Sequence, residues 1–123
     1  FIYTFTLAAG EAAHTVLEGL WGVDNTGVVK LNGTQIAALS DVVVESFNVL
    51  HAFGATTGFN DGVNTLTFEL ANYGGAPDLY NNPAAFRASV NVTVAPVPLP
   101  ASLPLLAGAV AAFGFVARRK RNA

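Results

Sequence analysis

The chain has 123 residues, enough for one domain with a modest core and too few for two. It contains no cysteine, which excludes a disulfide framework, thiol catalysis and thiolate metal sites while leaving the compartment open. The net charge of −2 conceals an asymmetry: residues before Pro96 hold all eight acids against only Lys30 and Arg87, whereas Arg118, Arg119, Lys120 and Arg121 crowd the C-terminus. So acidic a body argues against nucleic acid as a partner, because phosphate contacts need basic surface.

Residues 1–95 show no long amphipathic helical pattern; strand-length apolar runs recur between Gly, Asn and Asp residues. The expected class is all-β, a sandwich of two packed sheets occupying residues 1–95. The first apolar run is already under way at Phe1, without a Met, so the natural start is expected upstream. Predicted strands, in chain order, are Ile2–Ala8, His14–Val23, Gly27–Leu31, Val42–Leu50, Thr65–Ala71 and Arg87–Val94, each rich in Val, Phe, Leu or Thr. Asn32-Gly33, directly after Val28-Val29-Lys30-Leu31, predicts a tight primed hairpin turn, since both residues tolerate positive φ. Asp61-Gly62 predicts a turn before a strand. Gln35–Ser40 is too short for a stable helix and reads as a loop.

The stretch from Trp21-Gly22-Val23-Asp24-Asn25-Thr26-Gly27 to Leu31-Asn32-Gly33, followed by Gly62-Val63-Asn64-Thr65-Leu66-Thr67-Phe68-Glu69-Leu70-Ala71-Asn72, resembles a galactose-binding-like jelly roll. In that family an Asp-containing turn precedes a strand ending in Asn-Gly, and a later Gly-x-Asn-x-Leu opens a core strand. The resemblance implies the jelly-roll arrangement; some members bind sugars and others bind nothing small, so fold by itself selects no ligand.

Trp21, Tyr73, Tyr80 and Phe86 are candidates for a sugar-stacking face, with ordinary core packing favoured for Trp21 because it sits on a predicted strand. Tyr73 and Tyr80 flank Gly74-Gly75-Ala76-Pro77-Asp78, and loops at sheet ends are where sandwiches usually bind. Tyr73, Asp78 and Tyr80 therefore form the preferred ligand site. Asp24, Asn25, Asp61 and Asp78 carry oxygens suited to calcium, but no EF-hand or repeated Asp spacing is present. Asp24-Asn25 reads instead as a turn closed by side-chain to backbone hydrogen bonds, and no metal or other cofactor is assigned. His14 and His51 are the only histidines, and no Gly-x-Ser-x-Gly elbow accompanies them. No catalytic residue is assigned, and the chain is not read as an enzyme. Asn32-Gly33-Thr34 and Asn91-Val92-Thr93 match a glycosylation pattern and receive no role.

Past the predicted domain, Pro96, Pro98, Pro100 and Pro104 each remove a backbone donor and favour extended geometry, which makes residues 96–102 a stiff linker. From Leu99 to Ala117 run nineteen uncharged residues, close to the roughly 20 needed to span a bilayer, with the helix predicted over 103–117. The segment is rich in Ala and Gly, so its insertion is weaker than that of a Leu-rich helix. Arg118, Arg119, Lys120 and Arg121 in the tail 118–123 would stay cytoplasmic, placing the β-domain across the inner membrane.

Val97-Pro98-Leu99-Pro100-Ala101, an apolar helix and a terminal Arg-Arg-Lys-Arg cluster, in that order, resemble the VPLPA variant of the PEP-CTERM sorting signal. Membership implies a Gram-negative source, export through the general secretory route and recognition by an exosortase, with cleavage near the motif and transfer to the cell surface. It further implies association with exopolysaccharide and biofilm. On this resemblance Val97, Pro98, Leu99, Pro100 and Ala101 are recognised as a substrate. The expected function is that of a structural or adhesive surface protein, with a carbohydrate-binding module or an accessory domain of a larger hydrolase as the alternatives.

Overall fold

The structure, a computed structural model, describes residues 1–40, 48–73 and 84–96. Within them the chain forms β1 (Ile2–Leu7), β2 (Thr15–Val23), β3 (Thr26–Leu31), β4 (Thr34–Leu39), β5 (His51–Ala55), β6 (Gly62–Ala71) and β7 (Phe86–Val94), with one 3₁₀ turn at Ala12–His14. All strand pairs are antiparallel, in a four-stranded sheet ordered β1-β6-β3-β4 and a three-stranded sheet ordered β5-β2-β7. The expected all-β class is therefore what these residues adopt, in an arrangement consistent with a β-sandwich. The predicted linker beyond Pro96, the helix 103–117 and the tail 118–123 lie outside the described residues.

Side-chain alternation explains why the sheets meet. β3 buries Gly27, Val29 and Leu31 and turns Thr26, Val28 and Lys30 outward; β6 buries Asn64, Leu66 and Phe68 and exposes Val63 and Glu69. β2 answers from the other sheet with Thr15, Leu17, Trp21 and Val23. One cluster results, formed by Leu17, Trp21, Val23, Val29, Leu31, Leu39, Phe53, Leu66 and Phe68. At its centre the rings of Trp21, Phe53 and Phe68 lie 5.7–6.4 Å apart, tilted or edge-on, and join β2 and β5 to β6. Such ring pairs contribute about 0.5–1.5 kcal/mol each beyond the area they bury.

Phe53 reaches that position because β2 carries glycine opposite it. Gly19 pairs with Phe53, and a Cβ on Gly19 would collide with the Phe53 ring and with the Ser89 carbonyl. At the β3–β4 hairpin Asn32 and Gly33 both take positive φ, +49° and +85°, as the predicted primed turn requires.

Two strand assignments differ from the sequence reading. Residues 34–39, expected as part of a loop, are the strand β4: the Asn32-Gly33 turn folds them back onto β3, and a register shift beside Val29 and Lys30 accommodates their irregular apolar pattern. Of the expected strand Val42–Leu50, residues 42–47 lie outside the described residues, while Asn48 and Val49 form a turn and strand pairing begins at His51. β5 holds one large apolar residue, Phe53, among His, Ala and Gly, so its strand state comes from pairing with β2. The other boundaries move by three residues or fewer: β6 starts at Gly62, three before the predicted Thr65.

The sandwich has two ends. The upper end holds the start of β1, the Asp24-Asn25 crossing between sheets, and the residues around Tyr73 and Ala85. The lower end holds the Asn32-Gly33 turn, the β1–β2 and β5–β6 connections, and the point where the chain leaves β7. There the amide of Ala95 donates to the His14 carbonyl at 2.9 Å, fixing the exit of the C-terminal segment at the lower end.

Candidate functional site

At the upper end, Asp24 and Asn25 cross from β2 to β3 and tie three segments together. The Asp24 amide donates to Ala85 (2.9 Å), the Asn25 amide donates to Ala71 (3.1 Å), and the Asn25 side-chain oxygen accepts the Tyr73 amide at 2.8 Å. The expected turn is present, but its side-chain bond reaches forty-eight residues along the chain instead of closing locally. The end of β6 and the start of β7 are thereby pinned to one crossing. Tyr73 sits on that platform half-exposed. Its expected companions Asp78 and Tyr80 lie outside the described residues.

Trp21 does not join a sugar-stacking face. Its side chain is 1% exposed inside the core, because its strand alternation points it at the opposite sheet. Phe86 is also structural, its ring stacked on that of Phe1 at 4.5 Å and tilted against that of Phe68 at 5.3 Å. The structure thus separates the four aromatics that the sequence grouped: one is core, one closes the upper end, and Tyr73 alone of those described faces solvent.

The lower end is built from amides and one carboxylate. Asn64 is fully buried, and all four of its polar contacts are made: its oxygen accepts from Asn32 Nδ2 and the Asn60 amide, both at 2.8 Å, and its Nδ2 donates to the carbonyls of Asn60 (2.7 Å) and Gly62 (3.1 Å). Asn32 in turn donates to the Gly58 carbonyl and accepts the Thr65 amide. The two short motifs Leu31-Asn32-Gly33 and Gly62-Val63-Asn64 are therefore direct partners, joining a hairpin to the β5–β6 connection. Beside them the Asp61 carboxylate accepts the amides of Gly10 (2.8 Å) and Ala12 (3.1 Å), and these bonds hold its carboxyl below the usual carboxylate range. Both Asp61 oxygens thus serve loop closure.

Among the described residues the candidate chemistry-bearing side chains do not converge. Asp24 and Asp61 lie at opposite ends, as do His51 and His14, and the described residues contain no cluster of three His or acidic side chains. His51 Nε2 is buried without a hydrogen-bond partner among the described residues. Between the edge strands β4 and β5 runs a groove of about 620 Å³ with an apolar floor of Leu31, Ile36 and Phe53 and a rim that includes Glu18, Gln35 and Thr56. It was invisible in the sequence because one of its walls is β4. On the outer face of the four-stranded sheet, Lys30 and Glu69 form an ion pair at 2.7 Å. Among the described residues, no helix is long and apolar enough to cross a membrane. No family model, curated protein or solved structure matches this chain.

Proposed function

We propose that this chain is an exported bacterial envelope protein, sorted by its C-terminus to the cell surface or extracellular matrix, where its sandwich has a structural or adhesive role. The single observation that carries the reading is the order Val97-Pro98-Leu99-Pro100-Ala101, nineteen uncharged residues from Leu99 to Ala117, and Arg118-Arg119-Lys120-Arg121 at the end. On this reading an exosortase recognises Val97–Ala101, the apolar segment holds the precursor in the inner membrane, and the β-domain lies on the periplasmic side. The sandwich is of the galactose-binding-like jelly-roll type, a closer assignment resting on the Asn-Gly and Gly-x-Asn-x-Leu motifs. Its role needs no catalytic group and no cofactor.

The exit of the chain at the lower end supports a simple presentation. A domain tethered there turns its upper end, with Tyr73, away from the membrane and toward extracellular polysaccharide. That half-exposed ring favours a second reading, a carbohydrate-binding module whose contacts centre on Tyr73.

Intact mass of the mature protein from its source tests the sorting reading, with a variant carrying alanine at residues 97–100 for comparison. Loss of the residues after the motif in the natural protein, and their retention in the variant, is the expected result. Retention of Arg118–Ala123 in both, in the membrane fraction, overturns sorting and leaves a permanent single-span anchor.

A further inference from the structure

Asn32-Gly33 is the one Asn-Gly pair in the chain, and the β3–β4 hairpin favours it because both positions take positive φ, +49° and +85°. The same pair is the dipeptide most prone to close on itself. The backbone nitrogen of the following residue attacks the asparagine Cγ, and glycine, having no side chain, hinders that attack least. A Cβ placed on Gly33 would meet nothing within 4 Å, so packing around the glycine does not screen it.

The restraint lies instead in the asparagine side chain. Asn32 Nδ2 donates to the Gly58 carbonyl and to Asn64 Oδ1, both at 2.8 Å, and the Asn32 side-chain oxygen accepts the Thr65 amide at 2.9 Å. A side-chain amide has two N–H donors, so both are engaged. The Asn32 backbone amide also donates to the Thr65 carbonyl at 2.8 Å, which clamps main chain and side chain against β6 together. Asn64, at the centre of the clamp, is fully buried. Cyclisation makes Cγ tetrahedral and expels Nδ2, so the planar amide that forms these three side-chain bonds must be given up on the way.

We infer that Asn32 is a latent site of spontaneous deamidation, kept closed by Asn64 and the lower-end loops. In the reaction the Gly33 nitrogen bonds to Asn32 Cγ, the Cγ–Nδ2 bond breaks, and ammonia leaves with the proton that the Gly33 nitrogen gives up. Water then opens the five-membered imide at either carbonyl, leaving aspartate or isoaspartate at position 32. Either product carries a carboxylate, which when ionised accepts hydrogen bonds and donates none. It faces the Gly58 carbonyl and Asn64 Oδ1, two acceptors that the amide had served as donor, so the tie between the loops becomes a repulsion. Isoaspartate also lengthens the backbone within the turn that sets the register of β4. The buried asparagine pair thus protects a labile bond as well as joining two loops.

Ageing the purified chain in mildly alkaline buffer, folded and in unfolding concentrations of urea, tests this by peptide mass spectrometry at Asn32. Deamidation should run on the order of 100-fold more slowly in the folded chain. Asn64→Ala should lose most of that protection in the folded state. Gly19→Ala, which strains the Phe53 contact and leaves Asn32, Asn64 and their partners untouched, should keep it. Side-chain amide exchange in the unmutated chain decides the matter even if Asn64→Ala fails to fold: the Nδ2 hydrogens of Asn32 should exchange more slowly than those of exposed Asn91. Equal deamidation rates in folded and unfolded chain, equal exchange at Asn32 and Asn91, or protection lost as fully in Gly19→Ala as in Asn64→Ala would each overturn the inference.

Discussion

Replacing Asn64 with alanine removes the polar tie between the lower-end loops without touching the apolar cluster. Four hydrogen bonds are lost, two accepted and two donated. At a net value of about 1 kcal/mol each, reduced because water reaches the part-exposed loop groups left behind, the loss comes to about 3 kcal/mol. For a domain of this size that is a fall in Tm of roughly 12–20 °C. Urea unfolding followed by circular dichroism measures the difference, with Asn91→Ala on the exposed face of β7 as the control, expected within about 0.5 kcal/mol of wild type. Pairing the change with Asn32→Gly, which keeps the positive-φ turn available, should give non-additive losses coupled by about 1 kcal/mol. A loss for Asn64→Ala no larger than that for Asn91→Ala, or strict additivity with Asn32→Gly, would show that the network is incidental to stability.

Three further outcomes follow from local geometry. Gly19→Ala should destabilise by about 1–3 kcal/mol in the same urea assay, because the new methyl meets both the Phe53 ring and the backbone carbonyl of Ser89, and only the ring can shift. Asp61 has a folded-state pKa below its unfolded value, so its contribution is present above the unfolded pKa and is lost as pH falls through the folded one. Acid titrations of wild type and Asp61→Asn should therefore converge as pH drops below the ordinary carboxylate range and separate above it. Lys30→Ala should cost less than about 1 kcal/mol, and less still in high salt, since both partners of the Lys30–Glu69 pair are substantially exposed.

Much of the fold was legible because local chemistry and tertiary demand agree. β2, β3 and β6 alternate or run apolar over strand length, and the Asn32-Gly33 turn needs positive φ wherever it occurs. The two asparagine motifs could be singled out from their spacing. Their contact could not, since it joins residues thirty-two positions apart through backbone that only the assembled sheet brings near.

By itself the sequence determined the β class, most strand positions and the order of features at the C-terminus, because period-two patterning, turn chemistry and an uninterrupted uncharged run are all short-range properties. Tertiary structure decided the rest. It made a strand of Thr34–Leu39, whose alanines carry no strong preference of their own, by offering the edge of β3. It left Tyr73 facing solvent at the upper end and packed Trp21 into the core that its strand position had favoured, because orientation depends on which face of which sheet a position occupies. And among the described residues it set four strands against three, because the pairing partners of a strand are chosen by residues far away in the chain.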